Sequence, residues 1–108
     1  MFTIRNYVVA ESLEQAYELN QKKNNVVLGG IGWLKMGGRN IQTAIDLSQL
    51  GLDKIEEDET SFKIGCMCTL RQLETSKALN SYFDGIIAKS LIHIVGVQFR
   101  NCATIGGS

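Results

Sequence analysis

Apolar positions change their period twice within the first thirty residues, and each change marks an element. Phe2-Thr3-Ile4-Arg5-Asn6-Tyr7-Val8 is β-rich and partly alternating, which predicts an opening strand. The spacing then becomes helical. Leu13, Ala16, Tyr17 and Asn20 fall along one side and Leu19 widens the apolar face. Ser12 with Gln15 gives a capping-box start, and Asn24-Asn25, tolerant of left-handed backbone, gives a stop. Val26-Val27-Leu28, bounded by Asn-Asn and Gly-Gly, reads as a short buried strand of a parallel sheet. The sum is a β-α-β unit whose ligand loop belongs at the carboxyl end of its second strand, where Gly29-Gly30 stands.

Downstream, residues 34–40 predict a brief helical turn and loop, residues 43–47 a return to strand, and residues 48–52 a turn. Ile55 and residues 61–65, separated by the solvated acidic cluster Glu56-Glu57-Asp58-Glu59, predict an antiparallel pair. Thr69 with Gln72 is a second capping box, and Leu70, Leu73, Leu79, Tyr82 and Phe83 are expected to bring helices onto that pair. A last helix is expected from about Gly85, carrying Ile87, Leu91, Ile94 and Val95 to a stop at Gly96, before an extended Val97-Gln98-Phe99. The fold class is therefore α+β: a small β-α-β subdomain over about residues 1–52, then a mixed or antiparallel sheet with helices over about residues 53–108.

The 108 residues suit one domain with a modest core. Eleven basic and eleven acidic residues cancel, which excludes a global field that gathers nucleic acid or anionic membrane, so any anion site must be local. No apolar run approaches the roughly twenty residues that span a bilayer, and the start lacks a charged leader, so a cytoplasmic location is expected. Cys66, Cys68 and Cys102 are odd in number. Cys66-Met67-Cys68 lacks the second ligand pair of a zinc site, so reduced, buried thiols and no metal are expected. His93 between Ile92 and Ile94 reads as a packing residue.

The chemistry lies in two glycine stretches. In Gln98-Phe99-Arg100-Asn101-Cys102-Ala103-Thr104-Ile105-Gly106-Gly107-Ser108, Thr104 offers a hydroxyl. Gly106 and Gly107 can take positive φ, so that successive N–H groups converge on an anion such as a dinucleotide pyrophosphate. One Gly-Gly pair is weak evidence, since most are turns. A second loop, Gly29-Gly30-Ile31-Gly32-Trp33-Leu34, continues from the strand Val26-Val27-Leu28, and two such cradles can grip one pyrophosphate from two sides.

Taken in order, Leu28-Gly29-Gly30, Asp46-Leu47-Ser48, Phe62-Lys63-Ile64-Gly65, Thr69-Leu70-Arg71-Gln72-Leu73-Glu74 and the terminal motif resemble the FAD-binding flavoprotein (medium) subunits of the molybdenum hydroxylase family, of the xanthine dehydrogenase and carbon monoxide dehydrogenase type. The resemblance covers nearly the whole chain and rests on the ordered combination. It implies a PCMH-like fold and FAD as cofactor. Leu28, Gly29, Gly30, Ile31 and Gly32 would form the first pyrophosphate loop, and Thr104, Ile105, Gly106, Gly107 and Ser108 the second. It implies an iron–sulfur subunit and a molybdenum-cofactor subunit as partners, with electrons passing through FAD to NAD or another acceptor. It further implies that these residues are an N-terminal portion, inactive alone, holding FAD weakly or not at all and self-associating through an uncovered face. Ile31 and Gly32 depart from the small polar pair usual in the family, and Ser108 from Asn or Asp. Trp33 is expected to pack, and Arg100 and Asn101 to fix the loop structurally. The competing reading is a non-enzymatic interaction module whose glycine loops are only turns.

Overall fold

The computed structural model describes residues 2–32 and 34–107. Three strands, β1 (Thr3–Val9), β2 (Asn25–Leu28) and β3 (Asn40–Asp46), form a wholly parallel sheet in the order β1-β3-β2. The middle position explains the sequence of β3, whose Ile41, Ala44 and Ile45 are buried, while the edge strand β1 leaves Tyr7 and Val9 exposed. Helix α1 (Leu13–Asn20) joins β1 to β2, and a single 3-10 turn (Leu34–Met36) lies in the link from β2 to β3.

Helix α1 starts as expected but is oriented differently. The Ser12 hydroxyl accepts from the Gln15 amide at 3.1 Å, whereas the Gln15 side chain reaches back to the Glu11 amide at 2.7 Å instead of to Ser12. Ala16 and Leu19 face the core with Ala10, Ile45 and Leu47, so Leu13 and Tyr17 on the flank stay exposed, contrary to the expected apolar side. The helix stops at Asn20, before the expected Asn24-Asn25. Asn24 does take left-handed backbone (φ 71), but in the turn into β2, where Asn25 Nδ2 donates to the Leu19 carbonyl at 2.8 Å.

Strands β4 (Ile55–Glu57) and β5 (Phe62–Ile64) form the expected antiparallel pair. Its turn is organised by Asp58, whose carboxylate accepts from the amides of Thr60 and Ser61 at 2.8 and 2.7 Å. These backbone donors, Thr60 first, hold its carboxyl below the ordinary value. The chain leaving β5 is tied back to the chain entering β4 by the Gly65 amide on the Lys54 carbonyl and the Met67 amide on the Leu52 carbonyl, 3.0 and 2.9 Å. A Cβ on Gly65 would stand 2.0 Å from the Leu52 oxygen, so only glycine admits this crossing.

Four short helices complete the chain: α2 (Leu70–Thr75), α3 (Lys77–Tyr82), α4 (Ile86–Leu91) and α5 (Val97–Arg100). The Thr69 and Gln72 capping box is complete in both directions. Leu70, Leu73 and Leu79 are buried, and Asn80 ties three helices together, with Nδ2 on the carbonyls of Leu73, Glu74 and Ser76 and Oδ1 accepting from the Ala88 amide. Tyr82 and Phe83 are exposed and make ring contacts with Phe62 of β5, at 5.8 and 6.0 Å between centroids.

Three expectations are corrected in this lobe. The last helix does not run on to Gly96; α4 ends at Leu91, and Val97, Gln98 and Phe99 are helical, with extended Gly96 as their N-cap. The cause is Arg100, which bonds both Glu74 and the Ile94 carbonyl and would be carried away from them by an extended lead-in. His93 accordingly lies in an exposed turn instead of packing. Of the free cysteines only Cys68 is buried, where burial raises its thiol pKa; Cys66 and Cys102 are exposed. Among the described residues no helix is long and apolar enough to cross a membrane, and no cluster of three or more His, Cys, Asp or Glu is placed to hold a metal ion.

Candidate functional site

The first glycine loop, residues 29–32, leaves the carboxyl end of β2, whose last residue Leu28 pairs with Asp46. The second, residues 102–107, runs antiparallel beside residues 66–70. The Leu70 amide donates to the Ala103 carbonyl, the Ile105 amide to Cys68 and the Gly106 amide to Cys66, at 2.8, 2.9 and 2.8 Å, with Thr69 and Thr104 bridged between them. The two loops, from opposite thirds of the chain, then meet face to face.

Their contact explains the glycines. A Cβ on Gly30 would lie 1.9 Å from the Cys102 carbonyl oxygen, one on Gly29 2.8 Å from Thr104 Oγ1, and one on Gly107 2.9 Å from the same oxygen. Gly106 has the same constraint against Cys66 Cβ at 2.6 Å, and Gly32 against the Phe99 ring, at 2.5 Å from Cε2. Positive φ, the expected reason for Gly106 and Gly107, is not used at Gly29, Gly30, Gly106 or Gly107. The left-handed residue of the site is Ile31, at φ 54. The glycines permit backbone to lie on backbone; the sharp turn is imposed on a β-branched residue.

The two loops also differ in their donors. The amides of Ile105 and Gly106 are taken by Cys68 and Cys66, and that of Gly107 by Thr104 Oγ1 at 3.2 Å. Thr104 is itself buried, and its hydroxyl lies between Gly29 and Gly107 where the two loops meet. In the first loop, by contrast, the amides of Gly30, Ile31 and Gly32 have no acceptor among the described residues. Consecutive unengaged amides at the end of a parallel strand are anion donors.

Between the loops lies an open cleft of about 500 Å³, floored by Val26, Ile31, Leu34, Ile94 and Phe99 and edged by the glycine backbones. Gly29, Gly30, Gly32, Thr104 and Gly107 also line it, whereas Leu28, Ile105 and Gly106 do not. No described residue lining the cleft is charged, so among the described residues an anion there is met by neutral groups, chiefly backbone amides. Trp33 and Ser108 lie outside the described residues. Sequence reasoning misses Ile94 and Phe99 as walls, because the turn and helix that carry them are shaped by the distant carboxylate of Glu74. It misses the Cys102 carbonyl too, which has no side-chain signal. The arrangement, donors on one side and an apolar floor on the other, fits a ligand with a phosphate group attached to an aromatic system.

Residues 2–108 match the family described as the FAD binding domain in molybdopterin dehydrogenase. No curated protein matches by sequence. Among solved structures, the chain superposes on carbon monoxide dehydrogenase from Hydrogenophaga pseudoflava lacking the Mo-pyranopterin moiety, with a TM-score of 0.83 and 25% identity, over 94% of this chain and 38% of that one. Reconstituted CO dehydrogenase from Oligotropha carboxidovorans gives 0.77 and 25%, over 99% of this chain and 38% of the other. Quinoline 2-oxidoreductase from Pseudomonas putida 86 gives 0.80 at 21% identity, over 100% of this chain and 39% of the other, a likeness of fold alone. The chain thus spans well under half the length of the solved chains it matches.

Proposed function

The chain belongs to the family of FAD-binding domains of molybdopterin dehydrogenases, and from that membership we propose that its two glycine loops grip the pyrophosphate of FAD. In this reading Leu28, Gly29, Gly30, Ile31 and Gly32 form the donating jaw. Thr104, Ile105, Gly106 and Gly107 form a jaw that holds the first in place, and Ser108 is proposed as a further ligand contact. The observation that carries it is the row of amides at Gly30, Ile31 and Gly32 that have no acceptor among the described residues, in a loop at the end of β2 packed against the second loop.

When bound, FAD supplies the electron-transfer chemistry of the parent oxidoreductase. This chain's own residues bind and orient; none is assigned as a catalyst. The amides donate to the diphosphate, and Ile31, Ile94 and Phe99 keep water from one side of the ligand. We place the chain, with a β-α-β subdomain over about residues 1–52 and the start of a second subdomain over about residues 53–108, in a flavoprotein subunit. That subunit receives electrons from iron–sulfur and molybdenum-cofactor partners and passes them to NAD or another acceptor. A second reading, docking onto another protein, is favoured by the exposed Ile86, Ile92, Val95 and Val97 of the helical lobe.

Titration with FAD, ADP and FMN by calorimetry tests the diphosphate assignment. FAD and ADP, which carry a diphosphate, are expected to bind at least about tenfold tighter than FMN, the equivalent of roughly 1.4 kcal/mol. Equal affinity for FMN, or no binding of FAD and ADP, overturns it.

A further inference from the structure

Arg100 is a buried cation whose bonds reach two elements. Its Nε and Nη2 donate to Glu74 Oε2 and Oε1 at 3.0 and 3.2 Å, a two-pronged grip, and its Nη1 donates to the Ile94 carbonyl at 3.1 Å. Both side chains are almost wholly enclosed, 4% and 6% accessible. The segment tied in this way needs a tether. Helix α5 is a single turn with no side-chain cap, entered through extended Gly96 and left-handed Val95 (φ 52), an uncommon state for a β-branched residue. The same segment carries Ile94 and Phe99 into the cleft, and the Phe99 ring fills the space that a side chain at Gly32 would use. Arg100 thus joins Glu74 to the Ile94 carbonyl, and its chain neighbour Phe99 lies against Gly32, whose amide has no acceptor among the described residues.

We propose that Glu74 and Arg100 are positioning residues for the cleft: their buried pair sets the wall formed by Ile94 and Phe99, and through Gly32 the presentation of the first loop's amides to the ligand. The inference rests on the diphosphate reading above. Glu74 also meets Arg71 at 2.9 Å, but that guanidinium is 39% accessible and lies on the same helix as Glu74, away from the wall. Arg71 is therefore the control: its removal takes one charge from the same carboxylate without releasing the wall.

The test compares Glu74→Gln, Arg100→Lys and Arg71→Ala with the unaltered chain. It uses FAD and ADP titration at a temperature where each is fully folded, and amide hydrogen exchange at residues 102 and 103, whose amides donate to the Phe99 carbonyl at 3.0 and 2.8 Å. Glu74→Gln and Arg100→Lys are expected to weaken binding roughly tenfold and to speed exchange at those two residues, with Arg71→Ala staying within about twofold. Folded Glu74→Gln or Arg100→Lys with unaltered affinity and exchange overturns the proposal. So does failure of both variants to fold, which makes the pair a support of the fold alone. If the unaltered chain binds neither FAD nor ADP, the diphosphate reading falls instead, and the exchange comparison still decides whether the pair positions the wall.

Discussion

Gly30 and Gly38 have the same side chain and opposite tolerance for a methyl group. At Gly30 an added Cβ meets the Cys102 carbonyl at 1.9 Å, a backbone atom that no rotamer change can move, whereas at Gly38 nothing lies within 4 Å and φ is not in the left-handed range. Gly30→Ala is therefore expected to destabilise by about 1–3 kcal/mol and to abolish FAD and ADP binding, by forcing the loops apart. Gly38→Ala is expected to be neutral or to stabilise by up to about 1 kcal/mol through the unfolded chain. Urea unfolding of both variants checks the pair. A second residue-scale prediction concerns acid. Hydrogen bonds from Arg100, then Arg71, hold the Glu74 carboxyl below its ordinary value. The stability that this pairing contributes is present above the ordinary carboxylate range and is lost as pH falls through the lowered folded value. Glu74→Gln should flatten that acid slope, leaving the share that belongs to Asp58, whose carboxyl is lowered as well.

Among the elements, α2 links the fold to the site, because its N-cap Thr69 also bridges Thr104. Thr69→Ala is expected to cost about 1 kcal/mol in thermal unfolding and to weaken ligand binding with it, while Thr69→Ser retains both. Such starts are legible in the sequence because capping is local: Ser12 with Gln15 and Thr69 with Gln72 carry it within four residues. The antiparallel pair and the meeting of the two glycine loops are legible for a similar reason, since turn chemistry and strand-end glycines leave marks in composition. Helix α5 is not, because Val97, Gln98 and Phe99 coil in order to deliver Arg100 to a carboxylate on another helix. Nor is the reason for the glycines, which depends on carbonyls such as that of Cys102, invisible in any side-chain pattern. The exposure of Leu13 and Tyr17 depends on how α1 rotates over its sheet, which a short apolar stripe does not determine.

The molecule as a whole is flatter and more open than its mass requires. Its accessible surface is 7462 Å², against about 5,900 Å² for a compact protein of this size. Its radius of gyration is 15.4 Å, with extents of 44 × 30 × 17 Å, where about 13 Å is usual. The excess is partly apolar, with Ile86, Val95 and Tyr82 exposed by 61, 67 and 73% on the helical lobe. Sedimentation is expected to show association that rises with concentration. Ile86→Lys should reduce it while shifting stability by no more than about 0.5 kcal/mol. A strictly monomeric chain at all concentrations removes self-association through this face.

The meeting of Gly29 with Thr104 also makes the site depend on contacts far apart in the chain. The parallel sheet closes through contacts within the first 46 residues, but the second loop has no place to lie until residues 66–70 have been set beside it and α2 to α5 have brought the chain back. Closing so long a loop is the slow entropic step. Competence to bind ligand is thus expected to require both ends of the chain together, and to be lost when the helical lobe loosens.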